Sequence, residues 1–578
     1  MTSNFNFLKK VFAANIFIVC FFGYLSLYFL LYQGNYFFFF DLLKIIAILF
    51  LFLVGAIFVP QRHIKYLAAL LAGFFVLDFA LLLFHLLRHA SFNWFYFWYN
   101  RQEAWQTIDL VFQGAWWYLL AALFFIFTFF YFIKHLFVFF KNKFKLKSEK
   151  YFFLFLVILL LSLSFISTNN LELVKVIKEA FSSNSEIVNL YQDYYQKIIK
   201  DYTVKNQRIL DNSILNSEAN IFFLHLESLN GEFLSSEITP NFQGLENKGL
   251  VFKNMQTNNV QTIRGEENIL CPVLASIDQD LHRSGLSSQA LCLPKVLKSL
   301  GYKTIFFKSH DLSFADTGEF MKNIGFDEVH SSDIMSPEDQ ELAWGYREDL
   351  FYQRVLEYLK QYQDQKIFAY IAVSTTNHVP FVLGQNYQDL NLQLPSTGDS
   401  FLARLKNTTF VQDYFFGNFL ERWQEKYQSN SHLFAFGDQA WPVGKHDNYY
   451  NEAYAYQENF LSSLAVLSPE LKTFGLKENY LSQNDIFLSI LSLLGLDSFQ
   501  SPGKNIFTTD NKCIIAVQPY SRRYITAINY PEKYIYNILD NILEIYNLAD
   551  DPAEKNPLFV GTADDLSYLE NCLENIAN

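Results

Sequence analysis

Ile221-Phe222-Phe223-Leu224-His225-Leu226-Glu227-Ser228-Leu229-Asn230 is an apolar run that stops on a carboxylate and a polar turn. Ile221–Leu226 reads as a short buried strand, with Glu227 at its end. The pattern recurs downstream. Thr304–Phe307, Ile367–Val373 and Leu433–Phe436 are further strand candidates. Leu293–Leu300, Tyr346–Tyr362, Phe410–Tyr427 and Asn484–Leu494 between and after them carry helical periodicity. Alternation of this kind predicts an α/β domain with a mostly parallel sheet covered on both faces. In such sheets chemistry collects at the carboxyl ends of the strands.

Polar residues stand at those ends. Glu227 follows the first strand, and Asp438 follows a later one in Phe436-Gly437-Asp438-Gln439. His378 lies beyond a third, in Thr376-Asn377-His378-Val379-Pro380. Upstream of these last two, Asn258-Asn259-Val260-Gln261-Thr262-Ile263-Arg264-Gly265-Glu266 offers a hydroxyl nucleophile at Thr262. Carboxylates with an imidazole suit Zn²⁺ or Mn²⁺. Singly, each has a plainer reading: a carboxylate after a strand often caps a helix, and a loop histidine is usually solvated. Their joint placement points to a site.

The first part of the chain is different. Apolar runs cover Val11–Leu31, Tyr36–Val59, Tyr66–Leu87, Val111–Ile133 and Tyr151–Ile166. Most approach the ~20 residues needed to cross the hydrocarbon. The first has no clear small-residue cleavage site and is followed by more runs, so it does not read as a cleaved signal peptide. Lys9 and Lys10, Arg62 and Lys65, and Lys141, Lys143, Lys145, Lys147 and Lys150 fall on one side of a five-span arrangement. That side is then cytoplasmic. The aromatic loop Ser91–Tyr99 falls outside, where it suits either the outer-leaflet interface or packing against the bundle. Three regions are expected: a multi-pass membrane domain at 1–168, a juxtamembrane helical linker at 169–216, and an extracytoplasmic α/β domain at 217–578.

Composition agrees. Hydrophobic residues make up 51% of the 578 and Phe alone numbers 63, mostly before Thr168. The net charge of −12 argues against a nucleic-acid partner, which requires a basic face. Of the five Cys, Cys20 lies in an apolar run, and Cys271, Cys292, Cys513 and Cys572 lie in the later domain. Sequence proximity alone pairs Cys271 with Cys292 and Cys513 with Cys572, one of three connectivities; four buried thiols are the other reading.

Five runs, a linker helix and this α/β pattern together resemble the lipoteichoic acid synthase and phosphoethanolamine transferase group of the alkaline phosphatase–sulfatase superfamily. The motifs that carry the resemblance are the strand ending in Glu227, Thr262 in its loop, Gly437-Asp438, His378-Val379-Pro380, and the ending Tyr546-Asn547-Leu548 with Asp551-Pro552-Ala553-Glu554 and Asn556. The resemblance implies a sulfatase-like fold and a divalent metal held by Glu227, Thr262, Asp438 and the residue at 439. It implies Thr262 as nucleophile, His378 at the substrate, and a membrane phospholipid donor with an envelope glycan or lipid acceptor. Arg264 is expected to bind phosphate, since its fork matches phosphate oxygens. The Cys/Ser-x-Pro-x-Arg motif of true sulfatases is absent, which argues against sulfate ester hydrolysis.

Two positions depart from the family. Gln439 replaces the His after Asp, so three expectations stand open: weaker metal binding, a substitute ligand such as His446, or an inactive site. Asp316 or Thr317 stands where a glycerol-phosphate-binding Arg is found, which sets this chain apart on the donated group. Three functions follow: a transferase of a phospho-linked head group through a Thr-linked intermediate, a hydrolase using the same intermediate, or a metal-poor pseudoenzyme binding glycan or lipid. The topology is directly testable. A reporter that works only in the cytoplasm, fused after Asn578, is expected to be inactive, and activity there contradicts the five-span arrangement.

Overall fold

The computed structural model describes residues 60–88, 130–138 (except 132), 186–211, and 217–577 apart from 278–279, 343, 452–453, 509–512, 521–523 and 563–565. The chain divides into two compact units, Met1–Ser182 and Ser183–Asn578. In the first, the 25-residue helix α1 (Ile64–Arg88) contains the third apolar run. No helix among the described residues is long and apolar enough to cross a membrane. The other four runs lie wholly or almost wholly outside the described residues.

The second unit is built on an eight-stranded sheet. Its strands are β1 (Asn220–Leu226), β2 (Leu250–Gln256), β3 (Lys303–Lys308), β4 (Glu328–His330), β7 (Ile367–Val373), β8 (Ser431–Gly437), β9 (Leu461–Leu467) and β10 (Gly475–Ser482). A small hairpin, β5 (Glu341–Leu342) with β6 (Gly345–Tyr346), lies outside it. The order in the large sheet is β10-β2-β9-β8-β1-β7-β3-β4. β1 sits centrally, parallel to both β7 and β8, with Leu226 opposite Val373 and Gly437. Only β9 runs antiparallel to its neighbours β2 and β8. The four strands expected from the sequence are β1, β3, β7 and β8. The mostly parallel α/β class expected from the sequence is the observed one.

Side-chain alternation along β1 feeds two cores. Phe222, Leu224 and Leu226 pack with helices α6 (Glu348–Tyr358) and α7 (Phe401–Tyr427), against Phe351, Phe415 and Trp423. Ile221 and Phe223 face the other side, against α2 (Glu186–Leu210), α4 (Leu293–Ser299), α5 (Thr317–Asn323) and α8 (Asp485–Leu493). Phe222, Phe223, Phe306 and Phe307 are fully buried, each contributing about 1.5–3 kcal/mol. α3 (Thr262–Leu270) packs on this second face through Ile269 and Leu270. α2 belongs to this core, burying Tyr191, Tyr195, Ile198 and Tyr202. Asn206 of α2 exchanges hydrogen bonds with the backbone of Gln500 at 2.8 and 2.7 Å.

A second, five-stranded antiparallel sheet was not anticipated from the sequence. It runs in order from β11 (Ile514–Gln518) through β12 (Tyr524–Asn529), β13 (Glu532–Asn537) and β14 (Ile542–Asn547) to β15 (Phe559–Thr562). Its β11 edge meets the loop before α3: Val517 N–H donates to Asn258 O at 3.0 Å. The last helix, α9 (Ser567–Ala577), is tied to this sheet by Cys572–Cys513. Cys271, just past α3, is bonded to Cys292, just before α4. The Cys513–Cys572 link spans 59 residues. The Cys513→Ser/Cys572→Ser double variant is expected to lose roughly 2–4 kcal/mol in urea denaturation of protein exported in its native host. Unchanged stability contradicts that link.

Candidate active site

The site forms where the central strands end. Glu227, one residue past β1, is fully buried. Its peptide is fixed from two elements: Asn377 Nδ2 and Gln412 Nε2 donate to Glu227 O at 3.0 and 3.1 Å. Ser228 turns the chain with φ of 52°. That turn presents its N–H to Asp438 Oδ1 at 3.0 Å, joining the end of β1 to the end of β8.

Thr262 is the first residue of α3, whose start has no side-chain cap. The helix dipole therefore places partial positive charge at this hydroxyl. α3 approaches the β8 end so closely that a Cβ on Gly265 would lie 2.5 Å from Asp438 O. The Thr262 hydroxyl lies beside the Asp438 carboxylate and, after His225, helps keep it ionised. Gln483 ties the same parts from behind, accepting from Asn258 N at 3.0 Å and donating to Asp438 O at 2.6 Å.

Gln439 reaches the cluster with its nitrogen. Nε2 donates to Glu227 Oε1 at 3.0 Å and to Thr262 Oγ1 at 3.4 Å, while its Oε1 accepts from Asn451 at 3.2 Å. Glu227, Thr262, Asp438 and Gln439 are thus brought together.

Two expected members are not. Arg264 lies two residues after Thr262, about 200° around the helix, so it points away from the site. Its Nη1 donates to Ser276 O, and its charge lowers the pKa of Glu267, which is raised by burial and by Asp280. Its expected phosphate contact is replaced by a role in the fold. His446 as a substitute ligand is likewise corrected: Nδ1 bonds Glu458 at 2.9 Å, Nε2 bonds Glu554 O at 3.1 Å, and the ring stacks on Tyr456 at 3.7 Å. Both nitrogens are committed. Glu554, of the Asp551-Pro552-Ala553-Glu554 motif, pairs with buried Lys533 at 2.7 Å, so the motif anchors the second sheet to the loop after β8.

The structure adds residues that the sequence reading missed. His225, 1% exposed, lies on β1 in the same parity as Phe223 and Glu227. Its Nε2 is 3.4 Å from Asp438 Oδ2, and its Nδ1 is 3.5 Å from Glu266 Oε1. Glu266 follows Thr262 by four, one turn along the same helix face. Lys308, the last residue of β3, reaches within 3.6 Å of Glu266 and 3.4 Å of Thr317 Oγ1. The available signals were a lone His in an apolar strand, the i,i+4 spacing, and a cation at a strand's carboxyl end.

His378 stacks on Trp344 at 3.7 Å, with His310 ring-to-ring at 5.4 Å from that Trp. Burial pushes both imidazoles down to about 4, and Lys308 adds to the effect. His378 is therefore neutral, with Nδ1 donating to Val379 O at 2.9 Å and Nε2 left as an acceptor.

With protein groups alone the charges are poorly matched. Burial, then the neighbouring Asp438, pushes Glu227 up to about 8. Asp438 stays below its usual range despite burial because His225 faces it. His225 Nε2 and Asp438 Oδ2 are buried and meet only each other, at 3.4 Å, while Glu266 Oε1 is buried against His225 at 3.5 Å and Lys308 at 3.6 Å. Donor atoms of His225, Glu227 and Asp438 all lie within 4.8 Å of one another. Buried carboxylate oxygens and an imidazole nitrogen gathered this closely fit a divalent cation.

The family described as Sulfatase matches residues 219–496. Phosphoglycerol transferase I of Escherichia coli O127:H6 is 29% identical over 153 residues, 24% of this chain and 20% of that protein. Phosphoglycerol transferase I of Shigella boydii serotype 18 is 28% identical over 151 residues, with the same coverages of 24% and 20%. The aligned part is thus about a fifth of the length of these relatives. An alkaline phosphatase superfamily protein from Vibrio parahaemolyticus shares the fold, with a TM-score of 0.52 at 16% identity over 64% of this chain and 94% of that one.

The two cations are separable by experiment. Lys308→Met is expected to weaken binding of inorganic phosphate by about tenfold or more in calorimetry. Arg264→Met is expected to act on stability, costing roughly 3–5 kcal/mol by stranding buried Glu267 and Asp280. A stable Arg264→Met protein that has lost phosphate binding contradicts this division.

Proposed function

We propose that this chain, whose residues 219–496 form a Sulfatase-family domain on the alkaline phosphatase superfamily fold, is a membrane-anchored, metal-dependent phosphotransferase. It takes a phospho-linked head group, of phosphoglycerol or phosphoethanolamine type, from a membrane phospholipid. It passes the group to a glycan or lipid of the cell envelope. The similarity to proteins named phosphoglycerol transferase I supports the reaction class. The apolar runs before Thr168 support an anchor beside an outer-leaflet donor.

One observation carries the reading: Thr262 starts α3 with its hydroxyl against Asp438 and the Gln439 amide, across from Glu227. A divalent cation held by Glu227, Asp438 and Thr262 would make the hydroxyl more acidic and offset charge on the phosphoryl oxygens. The residues do the rest. In the first half-reaction a Thr262 Oγ1–P bond forms, the P–O bond to the lipid alcohol breaks, and the proton from Thr262 ends on that alcohol. In the second, an acceptor hydroxyl attacks phosphorus, the P–Oγ1 bond breaks, and the acceptor's proton ends on Thr262.

Lys308, paired with Glu266 one turn along α3 from Thr262, adds positive potential toward the phosphate where Arg264 does not. The helix dipole at Thr262 adds to it. Neutral His378, with Nε2 accepting, suits a hydroxyl of the head group or acceptor, and Trp344 holds its ring. Glu348 sets the loop that carries His378, accepting from Thr376 N at 2.7 Å.

Thr262→Ala is expected to abolish head-group transfer in reconstituted vesicles, a loss on the order of 10⁴-fold or more, with the melting temperature nearly unchanged. Thr262→Ala protein that transfers at the native rate refutes the assignment.

A further inference from the structure

We infer that the nitrogen ligand of the metal site is His225, supplied from the strand beneath, and that Gln439 holds Glu227 and Thr262 without binding the metal. The inference rests on the metal-site reading above and names a ligand that the family pattern places elsewhere.

Three observations converge. First, position 439 presents an N–H group: Gln439 Nε2 points at Glu227 and Thr262, and its oxygen is taken by Asn451. An amide nitrogen that donates to two would-be ligands is not itself a ligand. Second, His225 Nε2 and Asp438 Oδ2 face each other at 3.4 Å, and neither bonds a third group. Both are buried at the point where Glu227 also converges. Third, the far side of the ring is furnished. Nδ1 lies 3.5 Å from Glu266 Oε1 and 3.3 Å from the Tyr370 hydroxyl. A carboxylate behind a ligating imidazole fixes its tautomer and aims the other nitrogen at the metal. Lys308, 3.6 Å from Glu266, keeps that carboxylate paired.

The placement follows from strand geometry. Side chains two apart on a strand share a face, so the residue two before Glu227 lies directly under it. The sequence thus keeps one imidazole among oxygen donors, which Zn²⁺ and Mn²⁺ accept, while moving it from the loop after β8 to β1. The competing arrangement is an imidazolium that bridges Asp438 and Glu266 with no metal contact.

The test uses the full chain in detergent, loaded with Mn²⁺ alone. Electron spin echo modulation of the native protein is expected to show a directly bound imidazole nitrogen. His225→Gln is expected to remove that signal and weaken Mn²⁺ binding by at least about tenfold. His378→Gln is expected to keep the signal. Should His225→Gln fail to fold, His225→Asn serves instead, and the native spectrum stands on its own. A native protein that binds Mn²⁺ with no nitrogen signal overturns the inference but leaves the metal-site reading intact. So does a nitrogen signal that survives loss of His225. A native protein that binds no divalent metal overturns both.

Discussion

The buried pair Glu227 and Asp438 sets the terms for everything around it. Two carboxylates at the ends of adjacent parallel strands, both excluded from water, cannot both ionise without a cation between or beside them. Protein groups alone leave Glu227 raised to about 8 and draw His225 up to about 10, against burial, through Asp438 and Glu266. That imbalance is costly in a stable fold and useful in a site that binds a dication. The surroundings are built to hold it: a left-handed turn at Ser228, Gly265 pressed on the Asp438 carbonyl, and Gln483 joining Asn258 of the loop before α3 to Asp438.

The second sheet belongs to the same device. β11 docks on Asn258, four residues before Thr262, through Val517 N–H and through Asn258 Nδ2 to Ile515 O at 2.7 Å. At the other end of the site, Glu554 pairs with Lys533 and receives His446 from the loop that follows Gln439. The loop that leads into Thr262 and the loop after β8 are thus each pinned to one antiparallel sheet, and neither depends on its own local structure for position.

Much of this was legible. An apolar run ending on a carboxylate located β1 and Glu227, and the same rule located Asp438 and His378. It applied equally to Lys308 at the end of β3, where a single Lys reads as an ordinary solvated cation. His225 was hidden because strand burial is judged from the majority of its residues, and one imidazole among Phe and Leu does not alter it. Arg264 misled because its residue type suits phosphate, whereas helix phase turns it away from Thr262. His446 misled because nearness in sequence to Gln439 says nothing of the Glu458 and Glu554 groups that hold it. The β11–β15 sheet escaped because its strands, such as Tyr524–Asn529 and Glu532–Asn537, mix polar and apolar residues without strict alternation.

The proposed transfer requires one side chain to carry the phosphoryl group between donor and acceptor. Reconstituted protein given a phospholipid donor without acceptor, quenched in acid and mapped by peptide mass spectrometry, reads this directly. The head-group phosphate is predicted on Thr262. The same adduct on Ser228 or another side chain, or donor turnover with every peptide unmodified, contradicts the account.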